Sequence, residues 1–311
     1  MYEQLSKWVS AGIPTFFYTD FTGEHLMAYP IDKLPDYDIE FSFCTPKSPL
    51  NYPHTPLKTP INPNEYQKKF ECIQEHLHAG NTYLLNLTQP TPIKTPYTLA
   101  EIYTMAHAPY KIRVQNSFVS FSPEPFITIK ENRIHTYPMK GTIDADTPDA
   151  IQTILADPKE LAEHTMIVDL LRNDLGIVAN NICVENFRYI TTIDTGVKKL
   201  HQISSHIHGE LTSKWKSNIG EILRHLLPAG SISGTPKKKS VEIIKEIEGY
   251  ERGNFTGVFG YFDGEALYSA VAIRFIENRD GNMIYKSGGG ITAESLWEKE
   301  YQEMIDKIYI P

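Results

Sequence analysis

The sequence predicts an α+β protein with large antiparallel sheets. Two observations carry the prediction. Strand-like segments arrive in runs, SFVSFS, PFITIK and RIHTY in succession and later ENFRYITTID beside VKKLHQISSHIHGEL, and do not alternate one for one with helices. The strongest helical periodicity, in KELAEHTMIVDLLRND, stands between those two runs.

In chain order, a short helix comes first, followed by the β-rich segments TFFYTD, HLMAYPI and IEFSF. Residues 45–63 carry prolines at 46, 49, 53, 56, 60 and 63. Proline sustains neither a helix nor a central strand, so an extended surface loop is expected there. NEYQKKFECIQEHLHAG reads as a helix closed by Gly80. TYLLNLTQ is a strand, and the three-strand meander, the long helix and the two long strands follow. Residues 236–248 form a helix in which Thr235 is the expected cap and Pro236 the first position. TGVFGYF and ALYSAVAIRFIE are strands, and NMIYKSGGG is a strand ending in glycines. The last helix opens on a capping box formed by Ser295 and Glu298. No repeat is present. The expected organisation is a shortened N-terminal region with the proline-rich loop over 1–62, and one compact unit over 63–311.

Hydrophobic residues make up 41% of the 311 residues and charged residues 22%, the balance of an ordinary soluble globular protein. No apolar run approaches a membrane span, and MYEQLSKWVSAGIP has neither the basic start nor the apolar core of a secretory signal. Cys44, Cys72 and Cys183 are far apart, which excludes a zinc-thiolate or disulfide framework and fits a cytoplasmic location. The net charge of −8 argues against a nucleic-acid surface but leaves room for a small anionic ligand.

Two acid pairs stand out. Glu160 and Glu163 begin the stripe that continues through Ile167 and Leu170, and Glu300 and Glu303 sit on or beside the stripe of Trp297, Tyr301, Met304 and Ile308. Acids in a first turn favour the helix dipole, which is the plain explanation. Carboxylates directed at an apolar face also need a partner, and two such pairs make an oxygen-rich set suited to Mg²⁺.

PAGSISGTPKKKS lacks the Walker spacing, because three residues separate Gly230 from Gly234 and Pro236 precedes the lysines. Either it is a well-capped helix start, or the turn at Ser231 holds a carboxylate through free N–H groups. Gly288, Gly289 and Gly290 permit either flexibility or close approach of a ligand. Arg274, in an apolar strand, calls for a fixed anion, either a ligand carboxylate or an internal acid. His201, among apolar neighbours, is a core or a catalytic histidine, whereas His206 and His208 share the other face of their strand. Lys140, in PMKGTIDAD, reads alone as a surface lysine. Beside a metal and partly desolvated, it would be a nucleophile.

The segments GNTYLLNLTQ, FSPEPFI, YPMKGT, ELAEHTMIVDLLRNDLG, LHQISSHIHGEL, GSISGTPK, FTGVFGYFDG, AIRF, SGGGI and EKEYQE occur in one order over roughly 62–308. Together they resemble the chorismate-utilising enzymes, the family of anthranilate, aminodeoxychorismate, isochorismate and salicylate synthases. The resemblance implies a large α+β sandwich flanked by helices, with 63–311 as the chorismate-binding catalytic domain. It implies Mg²⁺ held by Glu163 and Glu303, with Glu160 and Glu300 in support. It also implies a carboxylate clamp at Arg274 and Gly290, with Gly288 and Ser231 in the substrate site. His201 would stand beside the departing ring hydroxyl, and Gly141 and Thr142 would line the substrate.

Within that family, lysine at the Lys140 position is the pattern of aminodeoxychorismate synthases, and alanine that of anthranilate synthases. Leu84 stands where isochorismate and salicylate synthases carry a lysine base. The implied reaction makes 4-amino-4-deoxychorismate, on the route to 4-aminobenzoate and folate. Ammonia would come from a separate glutaminase subunit, since no cysteine lies in a G-x-C-x-G elbow, and a separate lyase would act next. Phe255 replaces the family's usual tyrosine, and the reduced N-terminal region argues against feedback by tryptophan. An anthranilate synthase component I, and a catalytically silent chorismate-binding subunit, are the alternatives.

Overall fold

The structure is a computed structural model that describes residues 1–44, 55–194 and 199–311. In chain order the elements are α1 (Tyr2–Ser10), β1 (Thr15–Thr19), β2 (Leu26–Pro30), β3 (Ile39–Phe43), β4 (Leu57–Lys58), α2 (Pro63–His78), β5 (Leu84–Lys94), α3 (Leu99–Met105), β6 (Tyr110–Val114), β7 (Phe118–Ser122), β8 (Pro125–Lys130), β9 (Arg133–Thr136), β10 (Met139–Asp144), α4 (Ala150–Ala156), α5 (Pro158–Val178), β11 (Asn180–Asp194), β12 (Lys199–Glu210), α6 (Trp215–Leu226), β13 (Gly234–Thr235), α7 (Lys237–Glu248), β14 (Val258–Phe262), β15 (Leu267–Val271), β16 (Phe275–Arg279), β17 (Asn282–Ile291) and α8 (Trp297–Asp306).

The strands form two antiparallel sheets, as expected. The first runs β10-β12-β9-β8-β15-β14-β1-β2 with β11 on β12, and the second runs β13-β5-β17-β16-β7-β6-β3 with β4 on β5. β12 pairs with β11 along one edge, and on the other edge with β10 and then β9. The sheets face each other through aromatic side chains. Phe16 and Phe259 of the first meet Ile112, Phe118 and Phe275 of the second, with Phe41 stacked on Phe16 at 4.7 Å between ring centroids. The opposite face of the first sheet, including Phe17, Ile129, Ile134 and Ile207, is covered by α1, α5 and α6. Strands from residues 15–43 enter both sheets, so the N-terminal region and the rest of the chain share one framework.

Two helices set the position of the site. α2 starts where Asn62 accepts a hydrogen bond from the Asn64 N–H at 2.9 Å and Pro63 takes the first turn. It buries Tyr66, Phe70, Ile73 and Leu77 at helical spacing. In α5, Asp157 accepts from the N–H groups of Lys159 and Glu160, and Pro158 again opens the helix. Its buried stripe of Ile167, Leu170, Leu171 and Leu175 anchors it on the first sheet, so the acids of the first turns project beyond the sheet's rim.

The structure departs from the sequence expectation at several points. ALYSAVAIRFIE is two strands, not one: β15 belongs to the first sheet and β16 to the second. The chain crosses between the sheets at Arg274, where φ is +52°. Thr235 does not cap α7, because it pairs with Leu84 in β13, and Pro236 holds the capping position without a side-chain bond. The Ser295–Glu298 capping box is not formed: Leu296 precedes the helix and the Ser295 hydroxyl donates to Glu300 Oε1 at 2.8 Å. Of the proline-rich stretch, 45–54 lie outside the described residues, and Leu57–Lys58 forms β4 against Lys94 and Ile93. α3, α4, α6 and β6 have no counterpart in the sequence expectation, although α6 buries Trp215, Ile219, Leu223 and Leu226 at regular helical spacing. No helix among the described residues is long and apolar enough to cross a membrane.

Candidate active site

A cleft of about 630 Å³ opens where the two sheets diverge. Its walls are β10, the first turns of α5, the glycine end of β17 and the inner edge of α8, with β5 and the Arg274 crossover at the floor. Lys140, Gly141, Thr142, Ser231, Arg274, Gly288, Gly290 and all four glutamates expected from the sequence line it. These residues are up to 163 positions apart (140 to 303), and packing alone assembles them.

Backbone geometry explains the glycines. Gly141 has φ +80°, and a Cβ there would lie 2.5 Å from Glu160 Oε2. Pairing of β17 with β5 sets Gly290 opposite Asn86 and Gly288 opposite Thr88. A Cβ on Gly290 would lie 3.5 Å from Lys140 Nζ, and one on Gly289 would lie 3.4 Å from both Glu300 Oε2 and Glu303 Oε1. The missing side chains thus leave open the space between the lysine and the acids.

Acids and bases are interleaved in the cleft: Lys159 lies 3.7 Å from Glu163, and Lys307 pairs with Glu303. Burial, then the neighbouring Glu163 and Asp157, raise the carboxyl of Glu160 above the usual range. Burial also raises Glu300; the Ser295 hydrogen bond opposes this and Glu303 reinforces it. Burial resists ionisation of Glu303, but the Lys307 ammonium at 2.5 Å prevails and holds its carboxyl below the usual range. Lys307 itself is lowered, chiefly by burial, and also donates to the Gly288 carbonyl at 2.8 Å.

Four carboxylates lining one cleft form an all-oxygen donor set that fits a hard divalent cation such as Mg²⁺. No three of them already converge as ligands among the described residues. Arg274 lines the same cleft. Its guanidinium lies 5.2 Å from the Tyr309 ring centroid, and no acid among the described residues forms an ion pair with it, so an external anion has a free cation to meet.

His201 is a correction. It pairs with Ile143 and Thr192 in the sheet, and its Nδ1 lies 3.0 Å from Thr192 Oγ1. Thr142, which lines the cleft, pairs with Gln202. Successive side chains of a strand alternate, so His201 sits on the opposite face from Thr142, outside the cleft.

Glu124, Asn86 and Lys307 are among the lining residues that the sequence does not single out. Glu124 lies in the cleft with its Oε1 accepting from Ser231 Oγ at 2.5 Å, and burial raises its carboxyl above the usual range despite Ser231, Lys140, Lys307 and Arg274. Asn86 presents a buried Oδ1 with no partner. Lys307 follows Glu303 at helical spacing, which is the one signal that could have found it.

Residues 31–311 match the family model described as chorismate binding enzyme. The chain is 47% identical to an uncharacterized PabA-like protein of Pasteurella multocida over 99% of this chain and 97% of that protein. It is 33% identical to aminodeoxychorismate synthase component 1 of Escherichia coli over 78% of this chain, and spans 56% of that protein's length. Anthranilate synthase component I of Streptococcus pneumoniae superimposes with a TM-score of 0.69 at 25% identity, covering 83% of this chain and 60% of that one. The menaquinone-specific isochorismate synthase of Escherichia coli shares the fold at a TM-score of 0.74 and 16% identity, covering 98% and 79%. A two-sheet α+β fold with an acid- and lysine-lined cleft between its layers defines a class of enzyme acting on a small anionic substrate. The chain belongs to the chorismate binding enzymes.

Proposed function

We propose that the protein is the chorismate-aminating component of an aminodeoxychorismate synthase. The observation that carries this reading is Lys140, half-buried in the cleft with its amine beside Gly290 and followed by Gly141, in a lining that also holds the four glutamates, Arg274 and Lys307.

Arg274 and Lys307 bind one carboxylate of the substrate through charge-assisted hydrogen bonds. Glu160, Glu163, Glu300 and Glu303 would hold Mg²⁺, which would supply positive charge for the other. The Lys140 amine, once it has given up its proton, attacks the ring diene and forms a C–N bond. The ring C–O bond breaks, and the hydroxyl takes a proton from Glu124 and leaves as water. Glu124 takes this role in place of His201, because it lines the cleft beside Ser231 and His201 does not. Ammonia then forms a C–N bond to the ring, the Lys140–carbon bond breaks, and the new ammonium returns a proton to Glu124. Chorismate and ammonia go in; aminodeoxychorismate and water come out. The ammonia source is a separate glutamine amidotransferase subunit, and a separate lyase follows.

The test is product identity. Purified protein with chorismate, Mg²⁺ and ammonium is expected to give aminodeoxychorismate by chromatography and mass, and Lys140→Ala to give almost none. Anthranilate as the product would place the protein with the anthranilate synthases and make Lys140 a bystander. No turnover of chorismate would leave a silent binding subunit.

A further inference from the structure

A second cluster lies outside the cleft, on the face of the first sheet opposite buried Ile134 and Ile207. It contains His135 of β9 and His206 and His208 of β12, all half-buried. Alternation puts His206 and His208 on one face, and the register sets His208 opposite His135. The ring centroids are 5.2, 5.9 and 5.9 Å apart. Three imidazoles bound tetrahedrally to one ion at about 2.0–2.1 Å have centroids roughly 5 Å apart. His135 Nδ1 and His206 Nε2 already face each other at 3.0 Å, and two nitrogens on one such ion are separated by about 3.3 Å.

The surroundings fit the same purpose. Glu185 Oε2 lies 2.8 Å from His206 Nδ1, so that nitrogen carries the proton and Nε2 presents its lone pair inward. His208 Nδ1 is buried and has no partner, an orphan that an ion would satisfy. Cys183, across from His208 on β11, adds an exposed thiol of matching softness. Burial first, and then neighbouring histidines, hold His135 below its ordinary pKa. Burial, partly offset by Glu185, does the same for His206.

We propose that His135, His206 and His208 bind one divalent transition ion of the Zn²⁺ class, with Glu185 orienting His206 and water or Cys183 completing the shell. No three ligating side chains among the described residues converge on a point as they stand. The His135–His206 hydrogen bond holds those two nitrogens at 3.0 Å, closer than they would stand on an ion, so binding would part them. A nitrogen-rich set disfavours Mg²⁺, so this site and the glutamate cluster select different ions. The ion would tie β9 to β12 beside the cleft, because the Tyr137 ring in the cleft wall stacks on His206 at 4.7 Å and 12°.

The test is calorimetric titration of the chelator-treated full-length chain with Zn²⁺, in excess Mg²⁺ to occupy the glutamates. One Zn²⁺ per chain is expected. His206→Ala and His208→Ala should abolish it, and Glu185→Gln should weaken it about 10-fold. Co²⁺ in place of Zn²⁺ should give visible absorption of tetrahedral intensity that the same variants lose. Absence of saturable binding, or binding unchanged in the histidine variants, overturns the proposal, and binding lost only in Cys183→Ser does the same. Circular dichroism checks folding; if His206→Ala unfolds, the His208 variant carries the test alone. None of these readouts depends on chorismate.

Discussion

Glu160 Oε2 stands 2.5 Å from the point where a Cβ on Gly141 would lie, and Gly141 has φ +80°. The residue after the candidate nucleophile is therefore tied to one of the candidate metal ligands. Gly141→Ala is expected to cost about 1–2 kcal/mol of stability through its left-handed backbone. Glu160, at the end of a flexible side chain, can swing aside, so the sharper effect should be a raised Mg²⁺ requirement. Chemical denaturation and Mg²⁺ titration of the rate separate the two. Unchanged Mg²⁺ dependence would detach Glu160 from the ion.

Arg252 and Glu248 form a buried pair at 2.6 Å, and Arg252 also donates to the carbonyls of Ile232 and Asn86. Removing one partner leaves a buried charge uncompensated. Arg252→Ala should cost about 3–5 kcal/mol in urea denaturation, and the double replacement Arg252→Met with Glu248→Leu appreciably less. Equal losses in both variants would trace the cost to lost packing and hydrogen bonds, not to a charge left unpaired.

His164 is fully buried, with its Nε2 2.7 Å from Ser205 Oγ. Burial first, then Arg188, pushes it down from 6.5 to about 4. The depressed value means that the unfolded chain takes up this proton first as pH falls. Stability associated with the neutral ring is thus present above pH 6.5 and lost as pH falls toward 4. His164→Gln should flatten that acid limb by up to about 3 kcal/mol. An unaltered acid limb in stability measured between those pH values would remove His164 as its cause.

Glu124 has the opposite sign. Its folded carboxyl is raised by burial, so the folded state holds the proton longer than the unfolded chain, and stability falls as pH rises through the folded value. Glu124→Gln should be more stable than the parent at neutral pH, with no advantage below the ordinary carboxyl range. It should also lose most turnover while still binding chorismate. Retained turnover would exclude Glu124 as the proton donor.

Much of the site was legible because local chemistry carried it. PMKGT, the paired glutamates of two helices and the glycines of YKSGGG are contiguous signals, and the structure brings all of them to one cleft. Errors arose where a one-residue offset decides the outcome. His201 and Gln202 are adjacent, and only the pairing of Gln202 with Thr142 tells which face each occupies. Glu124 and Asn86 escaped because nothing local marks them, and Lys307 had only its helical spacing from Glu303; they matter through what lies opposite.

The sequence by itself determined the α+β class, the two antiparallel systems, the family and most of the acids and glycines. Periodicity, turn residues and ordered motifs are properties of neighbours along the chain. Tertiary structure alone decided that ALYSAVAIRFIE breaks at Arg274 and passes from one sheet to the other, that Lys307 neutralises Glu303, and that three histidines of two strands meet. The physical reason is that burial and pairing depend on contacts between residues far apart in sequence. The same side chain is a surface charge or a reagent according to what the fold places against it.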